Sequence, residues 1–167
     1  MKKTVFWPLL VMVLVFGMAA VGNLDAQTDN SLNGTWVSIE DGVEIEFTFN
    51  NGNYEQSKVF NRGNHLFEKG TYSTRNGLLT ISVTHLMMVS SMPTNNGYES
   101  GKWYTTDEYK TVATNNLRVQ GFSQQEINEL IEFDISTKFW KYSVVSSSLI
   151  ITVTLDGRTE TIIFTKK

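Results

Sequence analysis

Apolar and polar residues alternate with a period of two over most of residues 34–165, and short polar breaks interrupt the alternation at regular intervals. A period of two is what a strand with one buried face requires. One stretch of the pattern occurs twice. Tyr72, Ser73, Leu79, Ile81, Val83 and Thr84 recur 70 positions later as Tyr142, Ser143, Leu149, Ile151, Val153 and Thr154. Between the runs lie tight-turn signals. Asp41-Gly42, Asn51-Gly52, Asn76-Gly77 and Asp156-Gly157 suit type I′ turns, in which both central residues take positive φ. Ser146-Ser147 holds the equivalent place in the second copy of the repeat.

Two-residue turns at these positions fix a register. Trp36 is expected opposite Phe47, Ile45 opposite Lys58, Phe49 opposite Tyr54, Tyr72 opposite Ile81, Tyr142 opposite Ile151 and Leu149 opposite Phe164. The same reasoning pairs Glu68 with His85 and Leu66 with Met87. One face then collects the large apolar side chains and the other mostly Thr, Ser, Glu and Lys. The pattern predicts eight strands, at about 34–40, 43–50, 53–60, 65–74, 78–88, 138–145, 148–155 and 158–165. The first can pair antiparallel with the eighth and the fifth with the sixth, which removes every sheet edge. The expected fold class is all-β, an up-and-down antiparallel barrel of about eight strands. Residues 89–137 break the rhythm. Met92–Gly97 reads as a loop and Gly101–Val112 as a short strand or hairpin, while Ser123-Gln124-Gln125-Glu126 reads as the capping box of a short helix. This helix-containing insertion is expected to cap one barrel end. An alternative lets it supply two further strands, making ten.

The N-terminus adds an address. Lys2 and Lys3 precede an uncharged, mostly apolar run from Val5 to Val21, the pattern of a secretory signal ending at Ala26. Cleavage after Ala20, or retention as a short anchor, are the alternatives. The layout is thus a signal peptide over 1–26 and one barrel domain over 27–167, exported to a periplasmic or extracellular site, with no stable membrane span after signal removal. Losing Lys2, Lys3 and Asp25 takes the formal charge from −3 to −4. No basic stretch is present to neutralise a phosphate backbone, which argues against nucleic acid. The chain has no Cys, so neither disulfides nor thiolates contribute, and the fold must rest on its apolar core.

Gly34-Thr35-Trp36 at the start of the first strand of a small exported barrel resembles the lipocalins, and more closely the lipocalin-like domains of exported bacterial proteins. So do Lys69-Gly70-Thr71-Tyr72 and Leu79-Thr80-Ile81. The resemblance covers most of residues 32–167. It implies that Trp36 lies at the closed barrel end with a basic residue of the last strand over it, and Lys166 is placed for that role where the family usually has Arg. Two departures stand out. The first loop is the tight Asp41-Gly42 turn, and the helix lies in the insertion rather than after the barrel.

Candidate chemistry comes from polar residues that the register points inward: Gln56, Lys58, Glu68, His85, Arg158 and Glu160. A barrel of this size has room for one small ligand, and pockets are apolar with a few placed polar groups. The expected ligand-binding set is Phe60, Met87 and Trp140 with Lys58, Glu68, His85 and Arg158. The cations suit a carboxylate head group. The bland alternative makes the same residues paired charges at a wet rim. No catalytic residue, metal ligand set or cofactor motif emerges. His65 and His85 fall on opposite faces, and there is no His-x-x-x-His, no Gly-x-Ser-x-Gly and no phosphate-binding loop. The expectation is a non-enzymatic protein that binds a small apolar or amphiphilic molecule. Its competitor is an envelope or surface protein with a filled core that acts through protein–protein interaction.

Overall fold

The computed structural model describes residues 28–40, 42–60, 64–89, 99–155 and 158–167. The expected signal peptide, the Met92–Gly97 loop and the Asp156-Gly157 turn lie outside the described residues, as do the side chains of Phe60 and Arg158. Nine strands are described: β1 Gly34–Glu40, β2 Val43–Asn50, β3 Asn53–Phe60, β4 Asn64–Arg75, β5 Leu78–Val89, β6 Trp103–Thr105, β7 Lys138–Val145, β8 Ser148–Leu155 and β9 Arg158–Lys166. Two helices, α1 Thr106–Val119 and α2 Gln124–Ile135, lie between β6 and β7. The strand order β4-β3-β2-β1-β9-β8-β7-β5 is closed by β4 pairing with β5, and β6 adds to β5 outside the ring. This is the expected eight-stranded, up-and-down, lipocalin-like barrel with one extra short strand and two helices.

The turns explain the closure. Asn51 and Gly52 have φ of 46° and 86°, and Asn76 and Gly77 have φ of 50° and 74°, as type I′ geometry requires. Trp36–Phe47, Phe49–Tyr54, Tyr72–Ile81, Tyr142–Ile151 and Leu149–Phe164 are all cross-strand pairs. Their inner faces fill the barrel. Phe47 stacks on Phe49 at 5.6 Å and meets Phe164 and Trp140 edge-on at 5.3 and 5.9 Å, while Phe49 meets Tyr72 at 4.9 Å. Such ring pairs add to the area term of burial. Trp36 is completely buried and donates its indole N–H to the carbonyl of Leu32 at 2.7 Å. The ammonium of Lys166 sits 5.1 Å from the Trp36 ring centre, where the resemblance placed a basic residue. Gly34 allows this, because a Cβ there would lie 2.8 Å from Lys166 Cε.

One stretch of the expected register is corrected. Between Lys69 and Gly70 the β4–β5 ladder shifts: Gly70 pairs with Val83, but Lys69 pairs with His85. Thr84 is the extra residue of a β-bulge, and its hydroxyl donates to the Lys69 carbonyl at 3.1 Å. Beyond the bulge the side chains of β5 change faces. Glu68 therefore opposes Leu86 rather than His85, and Leu66 opposes Met88 rather than Met87. Leu86 is fully buried, while His85 and Met87 are turned to the outer face. Gly70 makes the bulge possible. A Cβ there would sit 2.0 Å from the Ser82 carbonyl oxygen and 3.0 Å from the Tyr54 ring.

The insertion holds a second correction. The expected strand or hairpin over Gly101–Val112 is only the three-residue β6, and α1 follows at once. Thr105 and Glu108 form a capping box, in which Thr105 N donates to Glu108 Oε2 at 2.8 Å. The expected box of Ser123 and Glu126 opens α2. Tyr109, Ala113, Ile127 and Ile131 are buried where the two helices pack on each other and on β5 and β6. The insertion leaves β5 and enters β7 at the barrel end opposite Trp36.

Gly70→Ala tests the bulge. Its Cβ meets main-chain atoms that cannot swing away, so the variant is expected to lose more than about 2 kcal/mol of unfolding free energy in a urea titration, whereas Gly101→Ala, with nothing within 4 Å of its Cβ, loses only the smaller cost of its positive φ.

Candidate ligand site at the helical end of the barrel

The inner face of β3 carries Tyr54, Gln56 and Lys58 in succession, and β4 places Glu68 beside them, across from Gln56. This polar wall lies inside a barrel whose other inner faces present Ile81, Val83, Leu149, Ile151, Val153 and Phe164. Lys58 Nζ is 3.3 Å from Glu68 Oε1 and Lys138 Nζ is 3.5 Å from Glu68 Oε2. Lys138 also donates to the Asp134 carbonyl at 3.3 Å, and the Tyr109 hydroxyl donates to the Asp134 carboxylate. The cluster thus ties β3, β4 and β7 to both helices.

Its electrostatics are set by burial. Glu68 has 2% of its side chain exposed. Burial opposes its ionisation, but the ammonium groups of Lys58 and Lys138 outweigh that and hold its carboxyl below the usual range. Burial pushes Asp134 up against the opposing hydrogen bond from Tyr109, and Glu68 pushes it the same way. Burial lowers Lys138, only partly opposed by Glu68. Tyr54 is the exception to this pairing. Its hydroxyl is buried with no hydrogen-bond partner among the described residues, and burial, with the charge of Glu68, drives its ionisation far above the usual range. An unmatched buried hydroxyl costs about 1–3 kcal/mol.

Of the residues expected to bind ligand, Lys58, Glu68 and Trp140 lie on the inner face, and Lys58 and Glu68 are brought together. Trp140 is half-buried, edge-on to Phe47. The bulge removes His85 and Met87 from this group; His85 Nδ1 lies 3.0 Å from Thr84 Oγ1, and Met87 pairs with Phe67 and Trp103. Tyr54, Tyr109, Asp134 and Lys138 were not expected at the site. Lys138 had a signal in the sequence, since it stands 70 residues after Glu68, at the equivalent position of the repeat. The described residues form recesses at two places away from the polar wall's apolar neighbours. One of about 380 Å³ lies at the opposite end of the barrel, and one of about 130 Å³ lies beside Phe67, Glu55 and Trp103. No described helix is long and apolar enough to cross a membrane.

No family model matches the chain, and no curated protein does. Among solved structures it is similar to a lipocalin-like protein from Bacteroides uniformis ATCC 8492, at 16% identity over 83% of this chain and 100% of that one, with a TM-score of 0.39. It is also similar to an uncharacterized protein from Bacteroides eggerthii DSM 20697, at 16% identity over 81% of this chain and 99% of that one, with a TM-score of 0.42. The description of this barrel as lipocalin-like rests on its own closed ring of eight antiparallel strands.

Removing the charge of Glu68 leaves two ammonium groups uncompensated, so Glu68→Gln is expected to cost about 3 kcal/mol or more at neutral pH. The depressed carboxyl contributes stability that is present above the ordinary carboxyl range and is lost as pH falls through its folded value. Denaturation curves of the parent and Glu68→Gln should therefore differ at pH 7 and converge only in strong acid. A difference independent of pH contradicts this account.

Proposed function

We propose that this is an exported, non-enzymatic, lipocalin-like protein that binds one small amphiphilic molecule at the helical end of the barrel. The observation that carries the reading is the polar wall of Tyr54, Gln56, Lys58 and Glu68 set against apolar walls, with the Tyr54 hydroxyl buried and unmatched among the described residues. The interior around Phe47, Phe49 and Phe164 is already filled by rings, so the ligand sits toward the rim. There Ile45, Trp140 and Ile162 are half-buried inner-face side chains that take the apolar part, and Lys58 takes an anionic head group. Export rests on the Lys2-Lys3 start and the apolar run after it.

A second reading has its own observation. On the outer face Ile39 and Ile163 are 71% and 57% exposed, and Ile163 pairs with Ile150. Such a patch suits a protein partner, and a filled core acting through that face is the competing function.

Native mass spectrometry of the protein purified from its own envelope, with a thermal-shift panel of fatty acids and lipids, separates the two. The carrier reading predicts a co-purifying small molecule and a shift with carboxylated amphiphiles. Lys58→Met should reduce that shift, and Tyr54→Phe should weaken binding without lowering the stability of the free protein. No bound molecule and no shift would sink the carrier, and a Trp140→Ala variant affected only in stability supports the packed-core reading.

A further inference from the structure

A polar recess lies at the other end of the barrel from the proposed ligand site. It encloses about 380 Å³ and is lined by Thr28, Asp29 and Asn30 of the segment entering β1, by Thr74, Arg75 and Asn76 at the β4–β5 turn, and by Tyr142 of β7. That volume is at the small end of the range for small-molecule sites. Its walls are mostly polar, and they carry one charge of each sign.

The acidic wall is rigidly held. Asp29 Oδ1 accepts from Ser31 N–H at 2.9 Å, and Oδ2 accepts from the Tyr142 hydroxyl at 2.9 Å. Beside it Asn33 Oδ1 accepts from the Tyr72 hydroxyl at 3.2 Å and from Asn51 N–H at 3.0 Å, which ties the entering segment to the barrel floor. The hydrogen bonds from the Ser31 side chain and backbone, with that from Tyr142, hold the Asp29 carboxyl below its usual range against burial, so it is ionised at neutral pH. A carboxylate has about four acceptor sites; the Ser31 backbone and side chain and the Tyr142 hydroxyl take three here, which leaves one. The basic wall is the reverse case. Arg75 is exposed and makes no hydrogen bond or ion pair among the described residues. Among the described residues nothing takes up its five donors, which suit a planar anion. It stands at the end of β4, held by the Arg75–Leu78 pair and by the positive φ of Asn76 and Gly77.

A fixed carboxylate and an unused guanidinium on the walls of one small polar recess are complementary to a molecule that carries both charges. We propose that this recess is a second binding site, for a small zwitterion of the α-amino acid kind, with its carboxylate on Arg75 and its ammonium on Asp29. The Asn30 and Asn76 amides supply the remaining polar contacts. This site is independent of the amphiphile site and does not require it.

The test is an amide-resolved NMR titration of the folded protein with glycine, and separately with acetate and methylammonium as half-probes. Saturable shifts at Asp29, Asn30, Asn76 and Tyr142 with glycine, and weaker ones with either half-probe, are expected. Arg75→Ala breaks no hydrogen bond or ion pair among the described residues and should weaken glycine binding about tenfold, the loss of one charge-assisted hydrogen bond. Asp29→Asn keeps the acceptor for Ser31 and should weaken it similarly, while Lys58→Met should leave the titration unchanged. The proposal is overturned if glycine moves none of these resonances, if acetate alone reproduces the glycine shifts, or if Arg75→Ala binds glycine as tightly as the parent.

Discussion

Burial of one alternating face around a closed ring is the constraint on which this molecule depends. Without Cys, nothing covalent limits the unfolded chain, and each strand must put its odd or even set inward. The rings of Phe47, Phe49, Phe164 and Tyr72 touch across the barrel, so a slip of one residue on any strand would move a row of large side chains into water. Burial of each is worth about 1.5–3 kcal/mol. Trp36 closes the end of this core, with Leu32 beneath its indole and Lys166 over its ring.

The bulge at Thr84 lets one strand serve two partners. Its lower part, through Ile81, pairs with β7, and its upper part pairs with β6 along the edge not taken by β4. Shifting the phase by one residue puts Leu86 inside, beneath the helices, and puts Met87 outside against Trp103. The same shift leaves Glu68 without the His expected across from it. The charge of Glu68 is met instead by Lys58 and Lys138, and α2 reaches the same place through Asp134. One buried carboxylate thus links the barrel to its helical insertion.

Strand positions and most registers were legible because alternation and turn chemistry agree. Asn-Gly turns fixed the hairpins, and the repeat acted as a ruler: Glu68 and Lys138, equivalent at an offset of 70, meet in space. His85 was misplaced because strict alternation was carried through Gly70. The cue was present, since Leu79, Ile81 and Val83 keep one phase while Leu86 and Met88 keep the other, and a glycine inside a strand marks a bulge or close backbone approach. Helix α1 was missed although Thr105-x-x-Glu108 has the form of a capping box, because the short apolar stretch before it read as a strand. Tyr109 and Asp134 were beyond reach, as their contact exists only once two helices pack. The Lys166–Trp36 contact came from family resemblance rather than from pattern.

On the proposed reading the barrel is half core and half site. Its Trp36 end is packed with rings, and its helical end sets a polar wall against apolar ones. An isotope-filtered NOE spectrum with dodecanoate as probe tests that division most directly. The account predicts contacts from the chain of the probe to the methyls of Ile45 and Ile162 and to the Trp140 ring. Contacts confined to Ile39, Ile150 and Ile163 on the outer face would contradict it.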